Sequence, residues 1–129
     1  MKTRAKRAKG GRKTKPDARV LDCLHATIET RRGDDPEKSY TAKLLAKGTR
    51  TIAKKFGEES AEVIIDAVAR KPAGLVRESA DVLYHLLVMW ADARIKPGKV
   101  WAELARREGI SGIAEKRARQ NARQGKRAR

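Results

Sequence analysis

Residues 75–93 read LVRESADVLYHLLVMWADA, and this stretch decides the fold. After its first turn it is apolar on nearly every side, the pattern of a helix surrounded by other helices. It reads as the centre of a bundle, with Pro72 and Gly74 making the turn before it and Ile95, Pro97 and Gly98 breaking it. Glu78 and Asp81 nevertheless stand i,i+3 within it, and His85 continues their stripe on a helix that Val82, Val88 and Met89 make apolar. Acids there face protein. A buried carboxylate without a cation or donors carries a desolvation cost of several kcal/mol or protonates. An ion pair from Arg77 to Asp81 at i,i+4 is the bland alternative, but its orientation is the weaker one and it leaves Glu78 unpaired.

Helical spacing extends to both sides. Val20, Leu21, Leu24 and Ile28 mark a first helix that Gly33, Asp34, Asp35 and Pro36 end. Ser39 is placed to cap a short second helix carrying Leu44 and Leu45, closed by Gly48. A third helix runs from near Thr49 to about Arg70, with Ile52, Phe56, Ile64, Ile65 and Val68 expected in the core. Val100, Trp101 and Leu104 begin another amphipathic helix that ends at Gly109. With no strand-like alternation and no long repeat, the expected fold is all-α. It is a bundle of about five helices around an antiparallel central hairpin.

The chain of 129 residues fits one domain, with only five aromatic residues. Its 32 basic side chains outnumber 16 acidic ones, but residues 1–16 hold eight basic and no acidic groups, and residues 114–129 hold seven and one. The remaining 17 basic and 15 acidic groups leave a nearly neutral body. The charge therefore belongs to tails. Residues 1–17 read as a basic, disordered N-terminal extension, 18–113 as the all-α domain and 114–129 as a basic, partly disordered C-terminal segment, since neither tail has much apolar surface to bury. Non-specific nucleic-acid contact through the tails follows from such charge, although no aromatic residue is interleaved for base stacking. Cys23 is the only cysteine, which excludes an internal disulfide and any CxxC site. Without an apolar run long enough to span a membrane or a secretory signal, the expected location is cytoplasmic.

Across the turn from the central helix, residues 54–62 read KKFGEESAE, crowding Glu58, Glu59 and Glu62 together with no lysine spaced to neutralise them. At 100° per residue, Glu59, Glu62 and Asp66 fall on one stripe opposite Ala61, Ile64, Ile65 and Val68. Read alone, this is compatible with a solvated acidic face. Against that, Glu58 with Glu62 and Glu62 with Asp66 are like charges at i,i+4, each unfavourable by roughly 0.2–0.5 kcal/mol. As an antiparallel hairpin, the two helices set Glu62 roughly 12 Å and Asp81 roughly 9 Å from the turn at about 1.5 Å per residue, so the acidic pairs can converge. Four or five carboxylates around one point cannot all stay ionised without a cation. An all-oxygen set favours Mg²⁺ or Mn²⁺ over zinc, and such an ion keeps positions open for phosphate oxygens.

Three stretches carry a resemblance: SYTAKLLAKGTRTIAKKFGEESAEVIIDAV, ESADVLYHLLVMWA and REGISGIAEKRAR. Over about residues 39–119 the chain resembles the phosphoribosyl-ATP pyrophosphohydrolase family of the all-α, MazG-like NTP pyrophosphohydrolase superfamily. EExxE followed by ExxD is the superfamily signature, and the SYT, KFGEE, DxLYHLLV and SGxxEK segments point to this branch. The resemblance implies hydrolysis of the α,β pyrophosphate bond of phosphoribosyl-ATP in histidine biosynthesis, and a homodimer or larger homo-oligomer. It implies Glu59, Glu62, Glu78 and Asp81 as ligands of Mg²⁺ or Mn²⁺. Glu58 and Glu62 are the candidate catalytic carboxylates, Glu58 either supporting the ligands from behind or orienting water. Lys55, with Lys54 as the weaker candidate, would contact phosphate, while Ser111, Gly112 and Lys116 match a segment that can close on substrate. His85, Tyr40 and Trp101 read as packing residues. Two alternatives stand beside this one: a related nucleotide pyrophosphohydrolase acting on dUTP or noncanonical NTPs, and a basic nucleic-acid-binding protein with an inert acidic core.

Overall fold

The computed structural model describes residues 15–128, so the basic N-terminal extension lies outside the described residues up to position 14. Six helices follow in order: α1 (Arg19–Thr30), α2 (Tyr40–Lys47), α3 (Thr49–Val68), α4 (Pro72–Asp92), α5 (Pro97–Arg107) and α6 (Gly112–Arg127). The described residues contain no strand, as the helical periodicity requires. The bundle has one helix more than the five expected, because residues 112–127 are helical. Their helix is started by Ser111, whose hydroxyl accepts from the Ala114 amide at 3.1 Å.

Local chemistry sets the other boundaries. The Ser39 hydroxyl caps α2 by accepting from the Ala42 amide at 3.1 Å, and Gly48, at φ 90°, ends α2 and leads into α3. Pro72 is not part of the turn: it occupies the first position of α4, where its missing N–H costs no helical bond. Gly74 likewise lies inside α4 and is buried, and a Cβ there would run into the Asp66 carboxylate of α3. The turn shrinks to Ala69–Lys71, with Arg70 at φ 55°.

The core is small and sits at one end of the α3–α4 hairpin. Ile28 of α1, Leu44 of α2, Ile52 of α3 and Leu87, Val88 and Ala91 of α4 are buried together, with Leu21, Leu24, Leu45, Tyr84, Met89 and Trp90 packed around them. α5 is held to this end by Trp101, whose indole N–H donates to Asp22 at 2.9 Å and whose ring meets Trp90 edge to face at 5.8 Å. Ile64, Ile65 and Val68, expected in the core, are instead 63%, 57% and 79% exposed, as is Val76 at 71%. The hairpin extends beyond the core, so among the described residues nothing covers Ile64, Ile65 and Val68 on the apolar side of the second half of α3, while Glu59 and Asp66 are turned toward α4. No helix of the described residues is long and apolar enough to cross a membrane.

Candidate active site

The hairpin register brings the two acidic stripes together. Asp66 lies against Gly74; four residues along each helix from that contact stand Glu62 and Glu78, and seven residues along stand Glu59 and Asp81. The register thus sets Asp81 level with Glu59, one turn away from the expected pairing with Glu62. Oxygens of Glu59, Glu78 and Asp81 all lie within 4.8 Å of one another. Glu62 is exposed and lies outside this trio, though its charge still acts on Glu78.

No Lys, Arg or His among the described residues comes within 4.0 Å of these three carboxylates. The bland pairing of Arg77 with Asp81 does not form. Partial desolvation pushes the Glu78 carboxyl above its ordinary value, and the charges of Asp81, Glu59, Glu62 and Asp66 push it further the same way. Three like charges converging without a counter-ion fit a hard divalent cation: oxygens sharing one Mg²⁺ at about 2.1 Å lie within roughly 4 Å of one another, close to the spacing already present. The donor set is all oxygen and holds no thiolate or imidazole, which disfavours zinc.

The other expected residues are placed differently. Glu58 is neutralised after all, accepting from Lys55 at 3.2 Å and lying 4.0 Å from Lys54. Its hydrogen bond, its charge and the nearby Tyr40 and Glu59 hold the Lys55 ammonium above its ordinary value. Lys55 therefore stands at the edge of the acidic cluster, while Lys54 is more exposed. Ser111, Gly112 and Lys116 belong to the start of α6, and the structure does not bring them to the hairpin acids within this chain.

One part of the site has no strong signal in the sequence. Tyr40, at the first position of α2, points its hydroxyl at His85 Nε2 at 3.5 Å, and its ring stacks with Tyr84 at 6.4 Å. Tyr84 in turn shares a short hydrogen bond with Thr41. Burial raises the Tyr84 hydroxyl above its ordinary value, and the Thr41 contact partly offsets this. His85 Nδ1 sits 2.8 Å from the Asp81 backbone oxygen. The adjacent Tyr–Thr of SYT and Tyr–His of LYH were the only hints of this contact, since neither spacing shows that α2 crosses α4 there.

A family model described as phosphoribosyl-ATP pyrophosphohydrolase matches residues 21–108. The chain belongs to that family. A phosphoribosyl-ATP pyrophosphatase from Azospirillum brasilense is 57% identical over 107 residues, covering 83% of this chain and 96% of that protein. The protein of the same name from Paramagnetospirillum magneticum is 56% identical over 103 residues, 80% of this chain and 94% of its own. One from Dinoroseobacter shibae is 59% identical over 100 residues, 78% and 98% respectively. The match to the phosphoribosyl-ATP pyrophosphohydrolase family encloses α2, α3 and α4 entirely, and with them every acid of the cluster.

Proposed function

We propose that this chain hydrolyses phosphoribosyl-ATP to phosphoribosyl-AMP and pyrophosphate in histidine biosynthesis, in the cytoplasm, using a divalent cation held by Glu59, Glu78 and Asp81. The observation that carries the reading is the second half of helix α3, which turns Glu59 and Asp66 toward α4 and leaves Ile64, Ile65 and Val68 outward, inside a chain of this family. A helix whose only task was packing would be turned the other way.

Glu59, Glu78 and Asp81 form the cation seat, and Glu62, level with Glu78 on the facing helix, can join them by a side-chain rotation. Mg²⁺ or Mn²⁺ bound there supplies Lewis-acid polarisation of phosphoryl oxygens and a more acidic bound water. Lys55 offers positive charge beside the seat. Its exposed pair with Glu58 is weak enough to exchange for a substrate phosphate, and that exchange frees the Glu58 carboxylate to orient water. The exposed Ile64, Ile65, Val68 and Val76 support a homodimer built on the hairpin, since a monomer would leave this face to water.

Pyrophosphate release from phosphoribosyl-ATP, measured with and without added Mg²⁺, tests the reading. Metal-dependent release in the wild type, lost in a folded Glu59→Gln variant, is the expected result. Release that is equal after chelation, or activity on dNTPs that exceeds that on phosphoribosyl-ATP, would refute it.

A further inference from the structure

The family match ends at residue 108, before α6 begins, and the alignments to the relatives cover nearly all of each relative but at most 83% of this chain. α6 follows the matched segment, and it is built unlike the rest. Every residue of it except Glu115 is exposed. At 100° per residue, Lys116, Arg119, Arg123, Lys126 and Arg127 fall within one face about 100° wide. The opposite side carries Ala114, Ala118, Ala122 and Gly125.

The local acids are already occupied. Glu103 pairs with Arg106 and Arg107, and Glu115 pairs with Arg106 at 2.8 Å and lies 3.8 Å from Arg119. Among the described residues Lys116, Arg123, Lys126 and Arg127 have no ion-pair partner. The stripe rises from the body as a line of cations about 16 Å long, at 1.5 Å per residue. Two shallow grooves run along it, lined by Lys116, Arg119, Gln120 and Arg123 and by Arg123, Gln124, Lys126 and Arg127.

We infer that α6 is a nucleic-acid-binding helix that engages the phosphodiester backbone. The chemistry selects this occupant from three. A membrane-surface helix needs a face of large apolar residues opposite its charges, and α6 offers alanines and a glycine there. A protein partner needs apolar or aromatic anchors at the centre of the contact, and the only large apolar residue of α6 is Ile113, at its start. A duplex presents one negative charge per about 1.7 Å of axis and asks only for regularly spaced cations and donors, which the stripe and its neighbouring Gln120 and Gln124 supply. Three of the five stripe cations are arginines, whose forked guanidinium suits phosphate oxygens. The small opposite face keeps the helix narrow enough for a major groove.

The test is fluorescence anisotropy of a labelled 20-base-pair duplex of mixed sequence titrated with the full chain. With about four phosphates neutralised, log K falls with log salt at a slope of about −3.6, so a fourfold rise in salt weakens binding about 150-fold. Arg119→Gln/Arg123→Gln/Lys126→Gln/Arg127→Gln is expected to reduce that slope by three to four and to leave pyrophosphate release unchanged, which certifies the fold. Arg123→Gln alone is expected to reduce it by about one. A comparison variant with the same charge change, Lys6→Gln/Arg7→Gln/Lys9→Gln/Arg12→Gln, is expected to bind far more like the wild type. The inference is overturned by absent duplex binding in the wild type or by equal losses in the two quadruple variants. It is also overturned by capture on phosphatidylglycerol vesicles in preference to the duplex.

Discussion

The imidazole Nδ1 of His85 and the backbone oxygen of Asp81 lie 2.8 Å apart across one turn of α4. A carbonyl oxygen only accepts, so Nδ1 carries the proton, and in the neutral imidazole Nε2 is left to accept from the Tyr40 hydroxyl. A buried histidine thereby ties the start of α2 to the turn of α4 that presents Asp81.

His85→Leu removes both links of a buried side chain, so it is expected to lower stability by about 1–3 kcal/mol. If the tether positions Asp81, the Mg²⁺ concentration for half-maximal activity also rises by roughly 10–100-fold, the usual effect of losing a group behind a metal ligand. Tyr40→Phe keeps the ring and loses one long hydrogen bond, so its stability cost is expected to stay below about 1 kcal/mol. Chemical denaturation and metal titration of the two variants check this, and an unchanged metal requirement in a folded His85→Leu protein would sink the positioning role.

Neutralising one acid of the cluster has opposite effects with and without metal. Glu78→Gln relieves the crowding with Asp81 and Glu59, so the metal-free variant is expected to melt at a higher temperature than the metal-free wild type. On the proposed cation seat the same change removes a ligand, so Mg²⁺ is expected to raise the melting temperature less and activity to drop at least about 100-fold. The pH dependence follows from the raised folded pKa of Glu78. Its contribution to metal-free stability is present below the ordinary 4.5 and is lost as pH rises through the folded value. Scanning calorimetry with and without chelator, at several pH values, reads the melting effects and an activity assay the loss of turnover, and a metal-free variant that melts below the metal-free wild type contradicts the relief of crowding.

The helices and their caps were legible in the sequence because Ser39, Gly48 and the apolar period act locally. The two acidic stripes were legible for the same reason, since i,i+3 and i,i+4 spacing fixes a face. What spacing could not supply was register and depth. Pro72 belongs to the helix and not to the turn, which alters which acids stand level. Ile64, Ile65 and Val68 look like core in any amphipathic reading, yet the short chain places its core only at the other end of the hairpin. The Tyr40–His85 contact joins residues 45 positions apart, which no local pattern encodes.

The exposed apolar face gives a direct test of assembly. Ile65→Lys and Val76→Glu place charges where a second copy would bury them, at 57% and 71% exposed positions that cost this chain's own fold little. Sedimentation at micromolar concentration is expected to show a dimer or larger species for the wild type and a monomer for each variant. Activity is expected to fall with the loss of assembly because the projecting hairpin carries the acidic cluster. A wild type that sediments as a monomer ends the assembly reading and leaves the acid cluster to be judged alone.

The junction of α5 and α6 rests on Arg106, which donates to Glu103 and to Glu115 at 2.8 Å each. Hydrogen bonds from Arg106 and then Arg107 lower the Glu103 carboxyl to about 2. Because that folded value lies below the ordinary 4.5, the stabilisation is present above pH 4.5 and is lost as pH falls toward 2, opposite in sign to Glu78. Arg106→Ala is expected to reproduce the acid effect at neutral pH, leaving the buried Glu115 with only the longer 3.8 Å pair to Arg119. Amide exchange over residues 112–127 should then speed up, while the Leu87 and Val88 amides of the core stay as protected as in the wild type. Wild-type exchange throughout α6 in that variant would mean that Ser111 and intrinsic helicity alone hold the helix.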